Sequence, residues 1–196
     1  RQYVDLAETY YRMADLDKAR ATYLNVLRIS QKGEANRTWS IEILKRVADI
    51  DLQRLDWRQA LRIFDQIRGL DPEDMETRAS LVELNYRLGQ DAAAVSELDS
   101  AVTYYDQMNK IPTAMRMVSS LVSIRPENPD MQSRLFAVSH RVKNMTDAIS
   151  LLDSYADELL ESKNKAAAIV HLETIIALGP PNTMEYRKVL EQLRSG

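Results

Sequence analysis

The chain has no cysteine, which removes disulfides, thiolate metal sites and a thiol nucleophile from consideration. That absence suits a reducing compartment. No apolar run approaches the roughly 18 residues that span a bilayer, and no signal-peptide pattern opens the chain, so a cytoplasmic protein without a membrane partner is expected. Glycine and proline are scarce, five and six in 196 residues; few backbone breakers mean long uninterrupted elements. Charge of one sign is lacking too. A net charge of -3 gives no general attraction to phosphate backbones, and no nucleic-acid partner is expected. What is there fits an all-α protein with a core of Ala, Leu, Ile and Val: 45% hydrophobic, 28% charged and only 7% aromatic residues, with no alternation of Val, Ile and Thr to suggest a strand. The length allows one or two domains, and a first residue of Arg1 rather than Met predicts a piece of a longer protein.

The clearest local signal runs from Leu55 to Asp74. Asp56 caps the first turn, with Gln59 three residues on in the manner of a capping box. Ala60, Phe64, Ile67 and Leu70 then recur at the three- and four-residue steps of one helix face. Asp71-Pro72 ends that helix and starts the next. Upstream, Tyr3 to Ser30 reads as two helices, striped by Leu6, Ala7, Tyr10 and Tyr11 and by Ala19, Tyr23, Val26 and Leu27. Asp15 caps the second and Gly33 follows its end. Asn128-Pro129, like Asp71-Pro72, places a capping residue before a proline at the first helical position.

These positions resemble the tetratricopeptide repeat, a helix-turn-helix with a period of about 34 residues. Tyr3, Leu6, Ala7 and Tyr10 occupy its first-helix places, Ala19 and Tyr23 its second-helix places, and Gln31 the place of its proline. A second match is Leu44, Val47, Ala48 and Asp51, then Ala60, Phe64, Ile67 and Pro72, after a connection from Gln31 to Ser40 longer than the family's turn. A third is Leu81, Val82 and Tyr86, then Gly89, Ala94, Leu98 and Ala101; Ala60 and Ala94 stand one family period apart. A second, longer period overlies the first. Ala60, Ala114 and Ala168 are evenly spaced, and Pro72, Pro126 and Pro180 keep the same step. That step, roughly 54 residues, predicts three-helix units, with helices starting near Gln90, Ile111, Pro126, Asn144 and Asn164. A last helix from Met184 is capped by Asn182 with Glu185, giving about eleven helices in all. The resemblance follows residues 3 to 105 closely and the rest as pattern, and implies one solenoid domain over residues 1–196, a right-handed α-α superhelix in which each unit buries its stripe against the next.

Catalytic chemistry has no support in the residues. The only histidines, His140 and His171, lack ligand-spaced partners and read as surface or groove side chains, and no phosphate loop, dinucleotide fingerprint or nucleophile elbow is present. Asp49 with Asp51, and Asp15 with Asp17, lie near helix ends, where capping and solvation account for them. Lys45, Arg46, Arg54, Arg58, Arg62 and Arg68 are offset by Asp49, Asp51, Asp56 and Asp65, and read as a solvated face with intrahelical ion pairs. Trp39 lies in the long connection, where it is expected to be exposed, and Trp57 and the eight methionines read as core filling.

In the tetratricopeptide family the first helices line a concave groove that holds a peptide or a partner's helix. Carried over by position, the resemblance assigns partner binding to Tyr11 and Arg12 beside Val4 and Glu8, to Arg46, Asp49 and Gln53 beside Leu52, and to Glu83, Tyr86 and Arg87. Val4 and Glu8 stand where carboxylate-clamping members have Lys and Asn, so that clamp is absent. The function implied is a non-catalytic protein-protein interaction scaffold, with a protein or peptide partner and no cofactor or metal. The alternatives are a structural spacer, a self-association module forming a homo-oligomer, or a regulatory or sensory region of a larger multidomain protein.

Overall fold

The structure, a computed structural model, describes residues 2–29 and 35–195; the expectations at Gln31 and Gly33 lie outside them. Among the described residues there are eleven α-helices and no strand: α1 (Gln2–Arg12), α2 (Leu16–Ile29), α3 (Ala35–Gln53), α4 (Trp57–Leu70), α5 (Met75–Arg87), α6 (Asp91–Gln107), α7 (Ile111–Ile124), α8 (Pro129–Ser139), α9 (Met145–Glu161), α10 (Lys165–Leu178) and α11 (Thr183–Ser195). The chain forms two compact units, Arg1–Leu98 and Asp99–Gly196.

The longer period is a structural one. Helices α4, α7 and α10 begin one such step apart, at Trp57, Ile111 and Lys165, and each holds 14 residues. The same step separates the starts of α5, α8 and α11, and of α6 and α9. Ala60, Ala114 and Ala168 are all fully buried, the small side chains that let a neighbouring helix approach closely. The repeat is therefore built on helix triplets as well as on pairs.

The turns repeat as well. Ala14, Leu55, Gly89, Asn109 and Lys163 all have φ between 55° and 70°. At each, the following residue's N–H closes a six-residue loop back onto the preceding helix: Asp15 to Tyr10 (3.0 Å), Asp56 to Asp51 (2.9 Å), Gln90 to Asn85 (2.9 Å), Lys110 to Tyr105 (2.7 Å) and Asn164 to Leu159 (2.7 Å). This is the Schellman ending, which satisfies orphan carbonyls by a left-handed residue. In three of the five the same residue then caps the next helix. Asp15 accepts from Lys18 N, Asp56 from Gln59 N and Asn164 from Ala167 N. One short turn thus ends one helix and starts another.

Several expectations change at this level. Asp71-Pro72 ends α4, with Asp71 N–H on the Ile67 carbonyl, but does not start α5. Asp74 is the cap, accepting from Glu76 N, and Pro72 sits in the intervening turn. The order holds at Asn128-Pro129, where Asn128 accepts from Asp130 N and Met131 N. Trp39 is helical and half-buried against the first unit's core, because α3 begins at Ala35, well inside the stretch read as a connection. Tyr3 and Leu6, expected on the buried stripe of α1, are exposed; they line an open groove with Lys18, Thr22 and Asn25 of α2. Met115, Met117 and Met131 are fully buried, whereas Met13, Met108, Met145 and Met184 are exposed.

Candidate partner-binding face

The residues assigned to partner binding all lie on α1, α3 and α5 of the first unit. Tyr11, on the last turn of α1, donates its hydroxyl to Asp49 Oδ2 on α3 (2.8 Å). One turn further along α3, Gln53 Nε2 donates both to that hydroxyl (2.5 Å) and to Asp49 Oδ2 (3.0 Å). The three side chains close a polar triangle between two helices. The bond to the Asp49 carboxylate, more than burial, raises the Tyr11 pKa, so the hydroxyl keeps its proton and stays a donor. Arg46, a turn before Asp49, reaches Glu8 of α1 at 3.6 Å. Glu8 also accepts from Tyr23 (3.1 Å), whose pKa burial and this bond push up to about 12.

A pocket lies on each side of the triangle. One, of about 400 Å³, has Trp39, Ile43, Tyr23 and Val4 as its apolar walls and Arg46 and Asp49 at its edge. The other, also about 400 Å³, lies between α3 and α5 and is lined by Leu52, Gln53, Trp57, Glu83, Leu84 and Arg87. Arg87 donates from Nε to Glu83 Oε1 (2.7 Å), and its guanidinium lies 4.9 Å from the centre of the Trp57 ring, a cation–π distance. Trp57 packs on the core with one part of its surface and walls this pocket with another. Tyr11, Asp49 and Gln53 bond one another and Glu83 bonds Arg87, while Arg46 shares the first pocket with Asp49 and Gln53 shares the second with Glu83 and Arg87. Tyr86, half-buried on α5, and Arg12, exposed at the end of α1, line neither pocket.

Charges read as solvated are drawn into tertiary contacts. Asp51 is fully buried and accepts from Arg20 Nε (2.6 Å) and Nη2 (3.0 Å); neither capping nor solvation accounts for it. The cations of the basic zone mostly pair between helices, Lys45 with Asp74 and Arg54 with Asp17, while Arg68 bridges Asp65 of its own helix and Glu97 of α6. His171, read as a surface or groove side chain, is fully buried in the second unit. Its Nδ1 lies 2.8 Å from the Ala167 carbonyl and its Nε2 2.7 Å from Ser119 Oγ. His140 is exposed just past α8, its ring edge-on to Phe136.

Sequence reasoning passed over a pocket between α7 and α9 of the second unit, where Ser119, Ser120 and Ser123 of α7 face Tyr155 and Glu158 of α9. Its signal was legible: three serines within five residues follow Arg116 on a helix whose only other polar residue is Thr113. Among the described residues, no group of three or more His, Asp or Glu side chains is placed to hold a metal ion, and no helix is long and apolar enough to cross a membrane.

No family model matches the sequence, and no curated protein matches it. Among solved structures the chain is similar to a tetratricopeptide repeat protein from Parabacteroides merdae (11% identity over 99% of this chain and 86% of that one, TM-score 0.46). It is also similar to YrrB, described as a TPR protein with an unusual peptide-binding site (16% identity, 95% and 90%, TM-score 0.43). A third is the TPR2AB domain of yeast Sti1 in complex with pHSP90 (12% identity, 98% and 95%, TM-score 0.38). All three are tetratricopeptide-repeat proteins, the family that the residue pattern resembles.

Proposed function

We propose that this protein is a non-catalytic interaction scaffold whose α1–α3–α5 face takes up a peptide or a helix of a protein partner. The observation that carries the reading is the polar triangle of Tyr11, Asp49 and Gln53 set between two tryptophan-walled pockets. Each pocket has room for a large apolar side chain, and Trp, Tyr and Arg are the residue types that most often anchor interfaces. The ion pairs Arg46–Glu8 and Arg87–Glu83 leave the face close to neutral, so the partner's anchors are apolar or aromatic rather than charged. The test is panning of the full chain against a displayed random-peptide library. Selected peptides are expected to weaken about tenfold or more on Trp57→Ala or Gln53→Arg. Peptides that bind both variants as they bind the parent exclude this face.

Self-association is the second reading. It rests on the exposed Met184 and Val189 of α11 and Tyr3 and Leu6 of α1. Sedimentation that does not change with concentration excludes it.

A further inference from the structure

The pocket between α7 and α9 encloses about 350 Å³, and its donors and acceptors decide what it can hold. The His171 ring sets the pattern. With the Nδ1 proton on the Ala167 carbonyl, Nε2 is left as an acceptor, and the Ser119 hydroxyl donates to it. The other three serine hydroxyls also donate inward, Ser120 to the Met117 carbonyl (2.7 Å), Ser123 to the Ser120 carbonyl (2.6 Å) and Ser162 to the Leu159 carbonyl (3.0 Å). All four serine hydroxyl protons are committed, so these oxygens offer the pocket only lone pairs, and donation is left to Arg116 and the Tyr155 phenol.

Two opposite charges share the same lining. Arg116 lies 5.7 Å from the centre of the Tyr155 ring, and Glu158 stands one turn along α9 from that tyrosine. Both act on the Tyr155 hydroxyl, which burial raises first, Arg116 lowering its pKa and Glu158 raising it. Both are exposed. Among the described residues they form no ion pair, with each other or with any other side chain. Elsewhere on this chain Arg20, Lys45, Arg46, Arg54, Arg68, Arg87, Arg134 and Arg141 each reach a carboxylate. A lone anion in the pocket meets Glu158 and four oxygens that have no proton to donate. A lone cation meets Arg116. A molecule carrying an ammonium and a carboxylate a few ångströms apart satisfies both, with the serine oxygens accepting the remaining ammonium protons.

We propose that this pocket binds a free α-amino acid, its ammonium on Glu158 and the serine oxygens and its carboxylate on Arg116. The volume lies at the small end of ligand sites and suits a molecule of that size. The site shares no residue with the α1–α3–α5 face, so either reading can fail without the other.

The test is isothermal titration of the full chain with each of the twenty common L-amino acids at up to about 10 mM, a range that detects dissociation constants near 1 mM. At least one is expected to bind. Its N-acetyl and methyl-ester derivatives, each missing one charge, are expected to bind about tenfold more weakly or worse, as are Arg116→Gln and Glu158→Gln with the free amino acid. Both substituted side chains are exposed, and an unchanged melting temperature of each unliganded variant separates lost binding from lost fold. The proposal is overturned if no amino acid binds, if either derivative binds as tightly as the free form, or if either folded variant binds as the parent does.

Discussion

Asp51 and His171 are both at 0% exposure, one in each compact unit, and the two units deal with a buried polar side chain in different ways. In the first, Asp51 on α3 is met by two nitrogens of Arg20 from α2, Nε and Nη2. Two charges are taken from water together and answer each other in a fork geometry. In the second, burial holds the His171 pKa below its ordinary value. The ring stays neutral, with one nitrogen donating to the Ala167 carbonyl and the other accepting from Ser119. The difference teaches where each unit is vulnerable. The charged pair is sensitive to the loss of one partner, because the survivor is an unpaired ion. The neutral pair is sensitive to pH, because one added proton turns a satisfied acceptor into a buried charge.

The sharpest way to break the comparison is Asp51→Ala, which strands a guanidinium only 20% exposed and is expected to lower stability in urea unfolding by about 3 kcal/mol. Adding Arg20→Met should recover most of that loss; a double variant as unstable as the single one contradicts the account. Next, Ala60→Leu and Ala168→Leu probe equivalent buried alanines in the two units, and each should cost about 1–3 kcal/mol by overpacking. Unequal costs here would set the two units apart in packing as well as in polar chemistry. Ser119→Ala leaves His171 Nε2 without its donor and should cost about 1–2 kcal/mol, less than the ionic case.

The pH dependence is a finer test. The folded-state pKa of His171 is lowered, so the unfolded chain binds the proton first as pH falls below the ordinary value near 6.5. Stability is therefore lost below that pH, and between pH 7 and pH 5.5 the parent should lose about 1 kcal/mol more than His171→Gln. Equal pH profiles would mean that the ring is not held neutral. Smallest is a gain. Leu55 and Lys163 take the left-handed conformation at counterpart turns of the longer period, with φ of 58° and 63°, a region costly for side chains with a Cβ. Leu55→Gly and Lys163→Gly should each raise the melting temperature slightly, by about 1 kcal/mol of stability or less.

Much of the fold was legible because its signals are local. Asp15, Asp56, Asn128, Asn144 and Asn164 cap the helices that the sequence predicts after them. The even spacing of Ala60, Ala114 and Ala168 marks helices whose starts keep the same step. At the candidate face, Gln53 of α3 and Glu83 and Arg87 of α5 share a pocket edge, but nothing in the residue order foretold that Tyr11 of α1 bonds both Asp49 and Gln53. The misreadings of polar side chains have one origin. Asp49, Asp51 and His171 look solvated when only their own helices are considered, whereas their partners lie 31 to 52 residues away.

The order of residues by itself determined where helices start and stop and which stripe of each is apolar, since caps and the three-to-four-residue step act within a turn or two of chain. Tertiary structure alone decided which polar side chains are buried and what answers them. Burial is conferred by neighbouring helices, and whether an aspartate faces water or an arginine depends on how two distant helices pack. The same packing decided that Arg116 and Glu158 border one pocket without meeting.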